Sequence, residues 1–260
     1  MPDNIRPAQS LHNKVALITG AGQGIGQGIA LSLAKRGARI LALGRTLSKC
    51  EDTCALIQQR YGTEAIALAG DVAELSTLQK AVDTAASTFG GIDILVNNAV
   101  SSRPAPLLAQ EDEHTLHSFT VGPIATLRLM KLCHPYLSRN GGSIINMAST
   151  AAKRWDMSNY GVYAAEKEAI RALTRTAASE WGKDNIRANC ILPHANSPAL
   201  QSWTESRPQE AAAFVRSIPL QRIGDCENDI GEFIALLCQP ESSYVSGQSI
   251  AVDGGQAYMG

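Results

Sequence analysis

The 260-residue sequence predicts an α/β fold, a single doubly wound domain whose parallel sheet is flanked by helices on both faces. Two observations carry that expectation. Seven short aliphatic runs, at 14–19, 39–43, 65–69, 92–96, 143–147, 187–192 and 248–252, read as continuous apolar segments. Strands buried on both faces have that appearance, whereas half-solvated strands alternate. Between the runs lie stretches of helical periodicity, among them 24–36, 75–89 and 163–181. Gly37, Gly62, Gly90 and Gly182 follow such stretches in the manner of C-terminal caps. Strands alternating with helices build right-handed βαβ units. No Pro/Ser-rich linker and no internal repeat divides the chain. Residues 14–260 therefore read as one domain, and 1–13, polar and holding Pro2 and Pro7, as a flexible N-terminal segment.

Composition narrows the function classes. Hydrophobic residues make up 45% and charged residues 18%, an ordinary balance for a globular chain of a length that buries a substantial core. A formal net charge of −1 argues against a nucleic-acid binder. No apolar run reaches the roughly 18 residues of a membrane span, and residues 1–13 lack the apolar centre of a secretory signal. The six cysteines show neither a CxxC pair nor zinc spacing, and reduced thiols fit a cytoplasmic protein. Cys50 and Cys54 read as small residues on one helix face. His114 and His117, three apart and without a third ligand, read as a solvated face, so no metal site is expected.

The sequence 19–26, TGAGQGIG, follows the first strand and opens the first helix. Gly20, Gly24 and Gly26 lack the Cβ atoms that would keep the backbone from a pyrophosphate at a helix N-terminus, with Gln23 and Ile25 between them. At the end of the second strand a dinucleotide site usually places an acid for the ribose 2′-hydroxyl. Here Gly44 stands in that place and Arg45 follows. An arginine there pairs with a 2′-phosphate, which argues for NADP(H) over NAD(H).

Tyr163 and Lys167 are four apart at the start of a helical pattern and share one face. An ammonium beside a phenol favours the phenolate, which suits acid–base work. Ser149 ends the fifth strand at the carboxyl edge, where its hydroxyl could bind a carbonyl oxygen. The stretch 193–222 holds four prolines, Trp203 and a short helical patch near 210–216. It follows the sixth strand on the edge where open α/β sheets bind ligands, and residues 194–222 read as a substrate lid.

Taken together, these residues resemble the short-chain dehydrogenase/reductase family over about residues 14–255. The resemblance rests on TGAGQGIG, on Asp71-Val72, on Asn97-Asn98-Ala99, on Ser149, on YAAEK at 163–167, on IRANCILP at 186–193 and on SGQSIAVDGG at 246–255. It implies a seven-stranded Rossmann-like sheet and a hydride transfer between a nicotinamide dinucleotide and a small-molecule carbonyl or alcohol. It also implies roles: Tyr163 as general acid–base, Ser149 polarising the carbonyl, and Lys167 holding the nicotinamide ribose. Asp71 and Val72 would flank the adenine, Asn97 would brace the central strand, and Asn98, Ala99 and Pro193 would contact the cofactor. The family forms homodimers or homotetramers through two long helices, here 119–139 and 163–181.

The chain departs from the family pattern in several places. Gly122 stands where the family has an asparagine whose side chain holds a water linking the lysine to solvent. Val100 replaces a glycine, Pro193-His194 replaces Pro-Gly, and Ser197-Pro198 replaces Thr-Pro one residue early. Glu166 stands where a serine commonly precedes the lysine. Two readings follow: an active oxidoreductase with a helix distorted at Gly122-Pro123, or a dinucleotide-binding protein that no longer turns over. His194 reads either as an auxiliary acid–base group or as packing. Lys153, Arg154 and Trp155 read either as a wall for an anionic or aromatic substrate or as a solvated loop.

Overall fold

The computed structural model describes residues 10–154 and 158–257. Seven parallel strands form one sheet in the order β3-β2-β1-β4-β5-β6-β7. They are β1 (Val15–Thr19), β2 (Arg39–Gly44), β3 (Ala65–Ala69), β4 (Ile94–Asn97), β5 (Gly142–Met147), β6 (Ile186–Pro193) and β7 (Ser249–Val252). The order reverses between β1 and β4, so their carboxyl ends diverge and open the crevice where such sheets bind ligands. The helices are α1 (Gly24–Lys35), α2 (Leu47–Tyr61), α3 (Leu75–Phe89), α4 (Asp112–Phe119), α5 (Ala125–Leu137), α6 (Gly161–Trp181), α7 (Pro198–Ser206), α8 (Pro208–Ser217) and α9 (Glu232–Leu237).

Alternate residues of the strands feed two cores, one on each face. Ala16, Ile18, Ile40 and Ile145 pack under α1 and α9, while Leu17, Leu41, Leu95 and Ile144 pack under α3 and α5. Continuous burial holds for β1 and β4, in the middle of the sheet. It relaxes at the edges, where β3 and β7 are half-buried because each has a neighbour on one side only. Leu11 is buried and its amide donates to the Arg36 carbonyl at 3.0 Å, so the packed body begins before residue 14. Residues 1–9, most of the segment expected to be flexible, lie outside the described residues.

Two local expectations change. Gly37, Gly62 and Gly90 adopt positive φ after their helices, but Gly182 has φ −57° and opens a short 3₁₀ turn. The left-handed residue that ends this turn is Asn185, whose short polar side chain tolerates that conformation. The helix expected at 119–139 begins earlier, at Asp112, and is broken by a π-helical turn over Thr120–Ile124. Pro123 within that turn has no N–H to continue the α-helical ladder. The distortion expected at Gly122-Pro123 is therefore present.

Candidate active site

The turn after β1 is held by Thr19. Its Oγ1 accepts from the amides of Asn98 (2.9 Å) and Ala99 (3.0 Å), and the Asn98 Nδ2 donates to the Thr19 carbonyl (2.9 Å) and the Gly20 carbonyl (3.2 Å). The ends of β1 and β4 are thereby locked together across the crevice. A side chain at position 26 cannot fit this arrangement, since its Cβ would lie 2.1 Å from the Gly20 oxygen. Gly20 and Gly24 take positive φ, 66° and 56°, which turns the chain into α1 with its first amides facing the crevice.

A cavity of about 470 Å³ lies over this turn. Gly20, Gln23, Gly24, Ile25 and Gly26 form its floor, and Arg45 comes from the end of β2. Asp71 and Val72 enter after β3, Asn98 and Ala99 after β4, and Tyr163 from α6. Ser149, Lys167 and Pro193 do not line it. Glycine cradle, helix N-terminus and cavity together fit a dinucleotide: the backbone can approach a pyrophosphate, and Tyr163 lines the same cavity.

One cavity residue, Lys49, was not singled out from the sequence. Lys49, on the first turn of α2, lines the cavity beside Arg45 and donates to the Gln23 Oε1 at 2.6 Å. The signal was a second cation four residues after Arg45. Cys50 is buried against Gly44, where a Cβ would lie 2.8 Å from its sulfur. Burial pushes the Cys50 thiol up, with the Glu51 charge adding to the effect. Ser197 and Pro198 also reach the cavity, Ser197 capping α7 by accepting from the Leu200 amide at 3.4 Å.

Tyr163 and Lys167 lie one turn apart on α6, with the Lys167 Nζ 5.5 Å from the phenol ring centre. Lys167 is buried and donates to the Met147 carbonyl at 3.1 Å, which ties α6 to the end of β5. Ser149, just beyond β5, accepts at its Oγ from the Ala151 amide at 3.2 Å. The Asn97 Nδ2 donates to the Asn146 Oδ1 (2.8 Å), and the Asn146 Nδ2 donates to the Thr174 Oγ1 (2.9 Å). This buried chain braces β4, β5 and α6 behind the site.

The two departures at positions 122 and 166 meet in space. A Cβ at Gly122 would lie 3.4 Å from the Glu166 Oε2. Glu166 is fully buried, and its Oε2 is in hydrogen-bond contact with the Ser118 hydroxyl on α4. Burial pushes the Glu166 carboxyl up, and the Lys167 charge and the Ser118 contact offset only part of that. Its Oε1 is buried with no hydrogen-bond partner. Sequence reading marked both positions as departures but not their contact.

His194 does not line the cavity. Its ring sits edge-on to Phe214 of α8, 5.1 Å between centres, and both ring nitrogens are buried without hydrogen-bond partners. Burial holds it below its ordinary value, Arg154 adding to the effect and Asp253 opposing it. That geometry favours packing against α8. His114 is engaged by Glu111 at 2.9 Å and by Arg103, as on a solvated face. Trp155 lies outside the described residues.

Comparison with known proteins agrees with this geometry. The family model described as "Enoyl-(Acyl carrier protein) reductase" matches residues 20–257. The chain is 39% identical over 249 residues to the 12alpha-hydroxysteroid dehydrogenase of Clostridium sp., covering 93% of this chain and 96% of that one. Among solved structures, the L-sorbose reductase of Gluconobacter frateurii, complexed with NADPH and L-sorbose, is similar with a TM-score of 0.86. It is 30% identical, over 95% of this chain and 98% of that one. A 7alpha-hydroxysteroid dehydrogenase complexed with NADH and 7-oxo glycochenodeoxycholic acid gives a TM-score of 0.89 at 32% identity, over 100% of this chain and 99% of that one. With the glycine cradle, the sheet order and these relatives in agreement, the chain belongs to the short-chain dehydrogenase/reductase family of Rossmann-fold, NAD(P)-dependent oxidoreductases acting on alcohol and carbonyl groups.

Proposed function

We propose that Tyr163 is the general acid–base of the hydride transfer, that Ser149 polarises the substrate carbonyl, that Lys167 holds the nicotinamide ribose, and that NADP(H) is the preferred dinucleotide. The observation that carries the catalytic assignment is the position of Tyr163 on the cavity wall, with the Lys167 Nζ 5.5 Å from its ring. When bound, the nicotinamide supplies or accepts the hydride. In reduction the Tyr163 phenol gives its proton to the substrate oxygen, with the Lys167 ammonium one turn away on the same helix. Ser149 accepts from the Ala151 amide, which fixes its oxygen and leaves its one hydrogen for the substrate oxygen.

The cofactor preference rests on charge and space at the end of β2. Arg45 and Lys49 bring two cations to the cavity, and α2 begins there with no acidic residue in its first turn. Cys50 fills the space an acidic side chain at position 44 would need. All of this supports a 2′-phosphate rather than a 2′-hydroxyl. Remaining contacts of the reading are the turn residues Gly20, Gln23, Gly24, Ile25 and Gly26, with Asp71, Val72, Asn98, Ala99 and Pro193. Ser197 and Pro198, at the start of α7, support residues 194–222 as the lid of a single domain spanning 14–260.

Exposed apolar side chains at Leu116, Ile124 and Leu127, along α4 and α5, support a homodimer or homotetramer. Six unpaired thiols support a reducing, cytoplasmic setting. Mixing the enzyme with NADPH or NADH and a panel of cyclic and open-chain ketones tests the reading. Oxidation of NADPH with at least one ketone, and a lower KM for NADPH than for NADH, is expected. Equal use of both dinucleotides removes the cofactor assignment.

A further inference from the structure

A second cavity, of about 350 Å³, opens at the amino ends of β1 and β2, whose carboxyl ends carry the glycine turn and Arg45. Its charge is one-sided. Lys14, Arg39 and Arg139 line it against a single carboxylate, that of Asp93. That carboxylate is already engaged: its Oδ1 accepts from the Lys14 Nζ and its Oδ2 from the Val15 amide, each at 2.9 Å. Two guanidiniums are left over. That of Arg39, the first residue of β2, lies over the Phe89 ring, 5.3 Å from its centre. That of Arg139, between α5 and β5, lies over the Tyr136 ring at 4.8 Å. A guanidinium seated on a ring is held in place while the N–H groups along its edge stay available. Arg39 donates from Nη2 to the Asn13 carbonyl at 3.2 Å, but its Nε is buried with no hydrogen-bond partner. Among the described residues neither arginine has an ion-pair partner.

The helix ends nearby oppose this charge without cancelling it. α3 and α5 both run out beside the cavity, and a helix C-terminus carries roughly half a negative charge. Two such ends offset about one of the two unpaired guanidiniums. Their last carbonyls are also partly taken: that of Ala86 accepts from the Gly90 amide at 2.9 Å, and that of His134 from the Ser138 amide at 3.0 Å. An anion is therefore still attracted. Counting acceptors selects its kind. A carboxylate has two oxygens, which one guanidinium edge occupies, whereas a phosphorylated group carries enough terminal oxygens for both arginines. Entry is open, since an added Cβ at Gly90 or Gly91 would meet nothing within 4 Å.

We propose that this cavity is a second anion site, in which Arg39 and Arg139 hold the phosphoryl oxygens of a small phosphorylated molecule. It is separate from the dinucleotide cavity and shares no lining residue with it. The inference does not depend on the roles given to Tyr163, Arg45 and Lys49. A ligand here ties the start of β2 to the segment between α5 and β5. Bound by the native chain and not by the unfolded one, it stabilises the fold in step with its occupancy.

Calorimetric titration of the full chain with inorganic pyrophosphate tests the site, because that ion has oxygens for both arginines. Pyrophosphate also suits the glycine turn, so four proteins are compared: wild type, Arg39→Gln, Arg139→Gln, and Arg45→Ala with Lys49→Ala. Binding to wild type is expected, with affinity about tenfold or more weaker in each of the first two variants. The Arg45→Ala, Lys49→Ala protein should retain this binding. Pyrophosphate should also raise the urea midpoint of wild type more than that of Arg139→Gln. Arg139 is exposed, so its replacement leaves the core intact and decides the matter even where Arg39→Gln does not fold. Undiminished affinity in Arg139→Gln overturns the proposal, as does the absence of any binding to wild type. Binding lost only in Arg45→Ala with Lys49→Ala, or weakened equally in every variant, overturns it as well, since the ion then sits at the glycine turn or responds to net charge alone.

Discussion

A Cβ on Gly44 would stand 2.8 Å from the sulfur of Cys50, and the two residues together close the place where an acid would hold a ribose hydroxyl. Arg45 and Lys49 then face the cavity with no competing carboxylate on the first turn of α2. Arg45→Ala with Lys49→Ala should weaken NADPH binding by about 1.5–3 kcal/mol per lost charge-assisted contact and leave NADH nearly unchanged. Gly44→Asp should raise NADH affinity more when Cys50→Ala makes room for it than alone. Calorimetric titration of both dinucleotides checks this. Equal losses for NADPH and NADH would place the 2′-position elsewhere.

Thr19 accepts two amides at once, those of Asn98 and Ala99. Thr19→Val keeps the shape and removes the acceptor, leaving both donors unpaired at a cost of roughly 1–3 kcal/mol each. The expected variant is less stable in urea and binds dinucleotide more weakly, because the Gly20 turn keeps only the Asn98 side-chain bonds to the Thr19 and Gly20 carbonyls as its tie to the end of β4. A variant as stable as wild type would show that the glycines and the Asn98 side chain hold the turn without the Thr19 hydroxyl.

Two buried groups should shape the pH dependence of stability from opposite sides. Burial lowers His194 from its ordinary 6.5, so the native state prefers the neutral ring. Its contribution is present above 6.5 and is lost as pH falls through the lowered native value. Glu166 is raised from its ordinary 4.5 by burial, so its contribution is present below 4.5 and is lost as pH rises through the raised native value. In urea unfolding across the pH range, His194→Phe should flatten the acid side and Glu166→Gln the alkaline side. Curves parallel to wild type would mean that neither group is held in its neutral form.

The fold was largely legible because buried parallel strands announce themselves as unbroken apolar runs, and β1 and β4 are of that kind. That Tyr163, Arg45 and the glycine turn share one cavity fits the short spacings along the chain that marked them. The break at Pro123 followed from a missing donor. Less was legible where conformation or distant partners decide. Gly182 reads as a cap from composition, yet φ places that role at Asn185. Lys49 looks like any solvated helix lysine, and Cys50 like any small core residue, until the fold sets them beside Gln23 and Gly44. The partner of Glu166, Ser118, is 48 residues away on another helix, beyond any local pattern.

The central claim is that the phenol of Tyr163 carries the proton of the reaction. Tyr163→Phe keeps the ring on the cavity wall and removes only the hydroxyl. With a ketone that wild type reduces, the decisive measurement is the rate of NADPH oxidation at saturating substrate, beside the dissociation constant for NADPH. A fall in kcat of roughly 10²–10⁴-fold with dinucleotide binding retained is the expected result. Turnover within a few-fold of wild type would contradict the assignment and move the proton transfer to another group.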